Sequence, residues 1–569
     1  MTQITRRSFL KAGAGLAGAL AFPVGTSGRA YAQPAMMRRG RLRPYVQALP
    51  VPGDGIVVAT QSAPGAYTFT QREIARQLHP DLPSTPIWAY DDGSGLSGQA
   101  GSFGMAIAAV SGTPLTVHYT HALPDDYPDW LPVDTRLTPF GTKVRLMTHL
   151  HGGFVAGDSD GNPAATPSGY GRGQTQTAFY PNQAGEQPAT LSWFHDHSVG
   201  TTRLNVFAGL AAAYVIRDEY DTGTPDNANA FPTGRYEIPL VIQDRMFGED
   251  GTFFYPTSDI AGVPWIGEYF GDVMLVNGKV WPYVDVEPRL YRLRILNGCN
   301  SRIVTLDLGG PPIWQLGAEG GLFDAVVPMR QLVLAPAERA DVLVDFSRFA
   351  NARIPLHNHR LQRPMSNPAP MLETVMQFRV GARVTDASNG IVPTTIAGGR
   401  RAELPSPVVR RFITLNEVEP EEPAWVLNMN ARAFDATSTS EMPRVGTVEE
   451  WTYVNLTADT HPMHTHLVTF QVVGRTPFDV ERYADSYETD SGVPGGIDPT
   501  PFATGPMEPP APEERGFKDT VKANPGYFTT IRARFDLPAG VSAPQKYVHH
   551  CHIVEHEDND MMQAFVVTP

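Results

Sequence analysis

The chain has 569 residues, 18% of them charged, with a net charge of −14, 53 glycines, 52 prolines and two cysteines. That length outgrows one hydrophobic core, so several domains of roughly 150 residues each are expected. The glycine and proline load excludes a mainly helical protein, and an acidic balance with no Lys/Arg block gives no footprint for nucleic acid.

At the N-terminus, Arg6 and Arg7 precede Ser8, Phe9, Leu10 and Lys11, a short apolar run and a small-x-small site at Ala30-Tyr31-Ala32. This is the pattern of a twin-arginine export signal over residues 1–32. Its apolar run falls short of the roughly 20 residues a membrane span needs, and no later segment qualifies. The mature chain is therefore expected in the periplasm or outside the cell, without a membrane span. Residues 70–80, TQREIARQLHP, are among the few with helical periodicity. Elsewhere, short alternating runs broken by Gly, Pro and Asn predict an all-β chain of sandwiches with Greek-key connections. In residues 291–295, Tyr291, Leu293 and Ile295 fall on one face and Arg292 and Arg294 on the other. Ile531, Ala533 and Phe535 alternate with Arg532 and Arg534 in the same way, and both runs read as half-buried strands.

A weak internal repeat organises these strands. MLVNGKVWP followed by YRLRILNGCN resembles LNMNARAFD followed by EEWTYVNLTADTHPMHTH, and TKVRLMTHLHG reads as the same final strand once more. Three related units are expected, 33–218, 219–381 and 409–569, with a polar, Gly/Pro-punctuated linker over 382–408. That final strand ends in histidines in the first and third units. In the second it ends in Asn297-Gly298-Cys299-Asn300, so the middle unit is expected to bind no metal there. The proline-dense run 490–514 reads as an ordered surface cover within the third unit.

The chain has 16 histidines, and four short clusters hold most of them: His149 and His151; His195 and His197; His461, His464 and His466; His550, His552 and His556. Residues i and i+2 of a strand share a face, so each His-x-His pair can offer two imidazoles to one metal or to two adjacent metals. Four pairs leave over His461, Cys551 and His556, with Met561 placed to lie axially. Two imidazoles, a thiolate and a weak thioether are what a blue copper electron-transfer site uses. A single His-x-His pair is commonly a surface feature, and a lone Cys-His neighbourhood also fits a nucleophile and its base. A structural zinc site takes four ligands and would leave eight histidines unexplained. His357 and His359 have no partner cluster and read as part of a solvated strand or turn. Cys299 reads as a small buried side chain.

The chain resembles the multicopper oxidases, specifically the three-domain group containing bacterial spore-coat laccases and bilirubin oxidases. The resemblance spans nearly the whole mature chain, through HLHGG, DSDG, YPNQ, WFHDH, TRLNVFAGL, VNGKVWPY, LAPAERADV, HPMHTHLVTF and HCHIVEHEDNDMM. It implies three cupredoxin-like Greek-key β-sandwich domains and four copper ions. On the family pattern His461, Cys551 and His556 hold the type 1 copper, with Met561 axial, and His149 and His464 hold the type 2 copper. The type 3 pair falls to His151, His195 and His552 on one ion and to His197, His466 and His550 on the other. The trinuclear site would lie between the first and third domains. Cys551 would pass electrons through the backbone to the imidazoles on either side of it.

The resemblance also implies a small aromatic, phenolic or bilirubin-like reductant, with dioxygen as acceptor, and a monomer is expected. Asp160 and Glu557 fall beside the cluster, as proton donors or as groups that orient histidines. Asp160 also fits an Asx turn, and Glu557 a surface acid. Asp459, two residues before His461, is positioned to take the proton a phenol loses, or is an exposed loop acid. A metal oxidase acting on Cu(I) or Mn(II) is the first alternative, although the 17 methionines are dispersed, with Met365, Met371 and Met376 the nearest approach to a cluster. A copper-free periplasmic scaffold of the cell-division type shares the fold and the export route but has lost the ligands. His549 departs from the aromatic residue that spore-coat laccases carry at that place.

Overall fold

A computed structural model describes residues 35–37, 39–52, 55–95, 105–260, 262–386, 390–399, 403–418, 426–489 and 496–569. The export signal and its cleavage site lie outside them.

Among the described residues six sheets come in three pairs, which is the sandwich arrangement expected of short strands with one face to bury. The first pair has six and four strands between residues 51 and 217. The second has seven and five between 237 and 380, and the third five and four between 409 and 567. The internal repeat reappears as topology. In the middle unit Glu237–Arg245 runs antiparallel to Val273–Val276 and parallel to Leu290–Asn297, which pairs antiparallel with Arg339–Asp345. In the third unit Val409–Val418, Val426–Met429, Thr447–Asn455 and Tyr527–Phe535 repeat that order. Asn297 and Asn455 end the matching strands. Each gives its side-chain amide to two carbonyls, those of Arg302 and Leu334 in one unit and of Asp459 and Ala523 in the other.

Two expectations fail. Residues 70–76 belong to the strand Ala66–Arg76, which pairs with Thr85–Asp91 on one side and Leu115–His121 on the other. Its buried residues Tyr67, Phe69 and Gln71 alternate with period two, and two ladders outweigh the weak helical spacing of its second half. Leu290–Asn297 is buried on both faces rather than one. Arg292 is neutralised by Asp221 and Asp341, and Arg294 by Asp221 and Glu237. Paired this way, the guanidiniums tolerate an interior that would reject them alone. By contrast Tyr527–Phe535 is half-buried as expected, with Arg534 exposed between Ala533 and Phe535. A helix not anticipated, Val480–Thr489, precedes the proline-dense cover and buries Tyr483 against Phe478 and Phe502. Over its described residues that cover carries single turns of 3₁₀ helix, at Thr500–Phe502 and Pro512–Glu514, and isolated bridges from Ala503 to Phe478 and from Glu508 to Arg475.

The first and middle units share one continuous apolar core, while the third has its own. Polar clasps hold the third unit in place. Asp558, on the short helix Val554–Asp558, accepts the backbone N–H groups of Thr202 and Arg203 at 3.0 Å each, at the start of the helix Thr202–Ala208. The turn after His195 and His197 is thereby tied to the turn after Cys551.

Candidate metal centre

Strand register sets up the site. Thr148–His151 pairs with Thr190–Asp196 so that His149 lies opposite His195. In the third unit His461–Thr465 pairs with Gln545–Cys551 so that His464 lies opposite His550 and Met463 opposite Cys551. The two sheet ends face each other, and imidazoles from both units interleave. His149 stacks on His466 with centroids 3.8 Å apart, and His151 stacks on His464 at 3.7 Å. His197 meets His550 edge to face at 4.8 Å, and His552 lies 5.0 Å from His151 and 5.2 Å from His195. All eight are buried.

The ring nitrogens divide into two classes. The outward ones donate to fixed acceptors: His149 Nδ1 to the Asp160 carbonyl at 2.7 Å, His195 Nδ1 to the Asp196 carbonyl at 2.9 Å, and His464 Nδ1 to the Asp519 carbonyl at 2.8 Å. His466 Nδ1 donates to Asp160 Oδ2 at 2.7 Å and His550 Nδ1 to the Cys551 carbonyl at 3.0 Å. Because a carbonyl only accepts, each of those nitrogens carries the hydrogen and the other nitrogen of a neutral ring is a lone pair. The inward nitrogens of His149, His151, His195 and His464, and both of His552, have no hydrogen-bond partner. His197 Nε2 and His466 Nε2 point at His550 Nε2 from 3.2 and 3.3 Å. An unmet buried polar atom costs about 1–3 kcal/mol, so this many converging lone pairs make sense as ligands of metal ions. Burial, with repulsion from neighbouring rings, pushes His151, His195, His197, His464, His466 and His552 well below the ordinary imidazole range. They stay neutral, as ligation requires.

The second group is a triangle in the core of the third unit. Cys551 Sγ lies 3.6 Å from His461 Nδ1 and 3.8 Å from His556 Nδ1, and the two nitrogens are 3.2 Å apart. Met561 is fully buried in the same core. Its carbonyl accepts from the Cys551 N–H, and its own N–H donates to the His556 carbonyl. The other nitrogens of this pair reach outward, His461 Nε2 to Thr457 Oγ1 at 2.6 Å and His556 Nε2 to Glu268 Oε1 at 3.3 Å.

The three predicted acids sit apart from one another. Asp160 is buried and touches imidazoles of both units, His149 through its carbonyl and His466 through its carboxylate. Glu557 is also buried. Its Oε1 lies 3.2 Å from His197 Nδ1 and accepts from Thr202, and its Oε2 lies 3.2 Å from His550 Nδ1. Asp459 is half-buried rather than an exposed loop acid, and burial pushes it up to about 6, with Glu268 adding to the effect. It lies by the Cys551 group, under a middle-unit segment that exchanges hydrogen bonds between Ser366 and Thr460. Sequence reasoning missed Glu268 and Glu417 there, the latter 3.6 Å from His461 Nε2. It also missed Asp519, whose Oδ1 lies 3.1 Å from His151 Nε2. His549 has a structural place, packed on Trp451 and bonded to Glu441 at 3.0 Å. His357 and His359 lie away from both groups, partly exposed beside Glu373 and Asp307. Cys299 is buried and, like Cys551, is a free thiol.

The multicopper oxidase family profile matches residues 405–569, and the twin-arginine translocation signal profile matches residues 3–23. A laccase of Bacillus subtilis is 35% identical over 549 residues, covering 93% of this chain and 99% of the relative. The chain belongs to the multicopper oxidases. Multicopper oxidase LPR1 of Arabidopsis thaliana is 33% identical over 86% of both chains. The McoA multicopper oxidase of Aquifex aeolicus superposes with a TM-score of 0.71 at 25% identity, over 92% of this chain and 99% of that one. The protein is thus a copper-binding oxidoreductase of three cupredoxin-like sandwiches, and an oxidase of this kind takes electrons from a reductant and gives them to dioxygen. Its N-terminus directs twin-arginine export. No helix among the described residues is long and apolar enough to cross a membrane.

Proposed function

We propose a laccase-like oxidase that removes one electron at a time from a phenolic, aromatic or bilirubin-like reductant and reduces dioxygen to water. In this reading His461, Cys551, His556 and Met561 hold a type 1 copper, and His149 and His464 a type 2 copper. His151, His195 and His552, with His197, His466 and His550, hold a type 3 pair. Four copper ions so held would supply electron acceptance at the Cys551 group and four-electron reduction of dioxygen at the eight-histidine group. The observation that carries the reading is the overlap of the two groups in one segment: Cys551 belongs to the first, and its chain neighbours His550 and His552 to the second. The backbone thus joins them directly. Asp160 and Glu557, each against a ligand from both units, orient imidazoles and hold protons for oxygen reduction. The units run over 33–218, 219–381 and 409–569, and the monomeric enzyme works in the periplasm or beyond it. Protein matured with copper should contain four copper ions per chain and consume oxygen when given a phenol. A preparation that takes up zinc instead, or no metal, would defeat the proposal.

A specific observation favours a second reading, a metal-ion reductant such as Cu(I) or Mn(II). Three carboxylates, Glu268, Glu417 and Asp459, gather where His461 and His556 turn outward. The two readings separate on one variant. As a base for phenols, Asp459→Asn should raise the KM for phenols while leaving a non-protic donor unaffected. As part of a cation site, it should slow Mn(II) or Cu(I) oxidation and spare the phenols. Equal effects on every donor would remove Asp459 from both.

A further inference from the structure

The middle unit contributes no imidazole to either group, yet one of its side chains reaches the larger one. Arg339 opens the strand Arg339–Asp345 and is 2% exposed. Its guanidinium forks onto Asp519 of the third unit, Nη1 to Oδ1 at 2.9 Å and Nη2 to Oδ2 at 2.7 Å. Its Nε donates to the carbonyl of Leu191 at 3.0 Å, on the first-unit strand Thr190–Asp196 that carries His195. Its backbone N–H is fixed in turn by Glu319 Oε1 at 2.9 Å. One planar cation therefore bonds all three units at once.

What it holds touches the imidazoles. Asp519 gives its carbonyl to His464 Nδ1 at 2.8 Å and lies 3.1 Å through Oδ1 from His151 Nε2, so it contacts one ligand from each unit. There is no slack around it. A Cβ on Gly152, the residue after His151, would come within 2.7 Å of Asp519 Oδ2 and 2.9 Å of Arg339 Nη2. The neighbouring ion pairs on the same seam, Lys518 with Glu319 and Lys522 with Glu338, join the middle and third units without bonding an imidazole.

We infer that Arg339 is a positioning residue for the type 2 copper: it sets Asp519, and through it His464 and His151, against the first-unit strand. The inference rests on the proposed assignment of His149 and His464 to that ion. A fork of this geometry cannot be replaced by a point charge, because the three donors of a lysine share one nitrogen, which cannot bond both carboxylate oxygens in parallel and the Leu191 carbonyl as well. A group that bonds a metal-bound imidazole, as Asp519 would, changes metal affinity by about 10–100-fold when lost, and Arg339 acts by fixing that group.

The test is Arg339→Lys in the full-length, copper-matured protein, read by the type 2 electron paramagnetic resonance signal and by copper release to a chelator. The blue absorption of the Cys551 copper serves as the internal measure of folding. The expected result is a weakened or shifted type 2 signal and type 2 copper lost about tenfold faster or more, with the blue absorption retained. Glu338→Gln, which weakens the same seam through Lys522 and Lys518 but removes no bond to Asp519 itself, should leave the type 2 signal at its wild-type value. A type 2 signal and release rate unchanged in Arg339→Lys would overturn the inference, as would equal losses in the two variants. If the lysine variant yields no blue protein, Asp519→Asn, which leaves the fork one good acceptor, takes its place with the same expected and excluding results. Wild-type protein with no type 2 signal would instead sink the copper assignment itself, which keeps the two failures apart.

Discussion

Single side chains in this site work in matched pairs across the unit boundary. Asp160 meets His149 and His466, and Glu557 meets His197 and His550, so each acid touches one imidazole from each half of the eight-histidine group. Changing either to its amide keeps the shape but puts an N–H donor or a weaker acceptor where a carboxylate faced an imidazole N–H. Asp160→Asn and Glu557→Gln should each slow oxygen consumption, by about 100-fold or more if the acid delivers protons. Reduction of the blue copper by the donor should keep its wild-type rate, since the side chains of Asp160 and Glu557 contact other residues and not Cys551, His461 or His556. Stopped-flow bleaching of the blue band beside oxygen uptake separates the two steps, and unchanged uptake would remove the acid from proton delivery. At this scale sequence spacing was informative only where partners are close in the chain. The His-x-His pairs declare themselves, and Asp160 stands nine residues after His151. Asp519 bonds an imidazole 368 residues away. Nothing in its own neighbourhood, the bend before the histidine-free strand Thr520–Ala523, marks it.

At the scale of elements, the turn that carries Asp160 is pressed against the strand that carries His149. Gly161 has φ +69°, and a Cβ there would stand 1.9 Å from the Thr148 carbonyl oxygen and 2.9 Å from the His149 Cα. Gly161→Ala therefore cannot be absorbed by side-chain adjustment. Either the turn lifts, taking Asp160 from His466, or the strand shifts and takes His149 with it. Copper bound at the eight-histidine group should fall while the blue absorption persists. Gly173→Ala is the matched control, with φ +81° but open space around the added carbon. It should cost only the left-handed conformation, about 1–2 kcal/mol, and keep its copper. Equal copper content in the two variants would show that the close approach is not what holds the ligand. Elements were legible in the sequence where burial is one-sided and period two survives, as in Tyr527–Phe535. They were misread where a strand is masked by charge or length. The buried arginines of Leu290–Asn297 looked like a solvent face because their carboxylates come from Asp221, Glu237 and Asp341, on other segments. The helix Val480–Thr489 does carry a stripe, Val480, Tyr483, Ala484 and Tyr487 at i, i+3, i+4 and i+7, but it is only ten residues long and set among charged and polar residues, and sequence reasoning missed it.

Across the whole molecule the three units are joined by different physics, and this bears on acid stability. The first and middle units share an apolar core, and at its edge buried Arg292 and Arg294 and half-buried Arg217 pair with Asp221, Glu237 and Asp341. Burial alone would raise the two acids Asp221 and Glu237, but the arginines outweigh it. Glu237 is held down to about 2, and Asp221 lies well below the carboxylate range. For a carboxylate depressed on folding, the stabilisation is complete above its unfolded value, about 4, and drains away as pH falls below it. Asp221→Asn leaves Arg292 and Arg294 buried with less counter-charge, a loss of about 3–5 kcal/mol at neutral pH. Unfolding of this variant should therefore begin at clearly lower temperature than wild type at pH 7. The gap should then narrow below about pH 4, because only the wild type has this carboxylate left to protonate. Thermal unfolding of both proteins across pH 7 to 3 tests the sign as well as the size. A gap that stays constant, or widens in acid, would mean that the carboxylate's ionisation does not stabilise this arginine cluster.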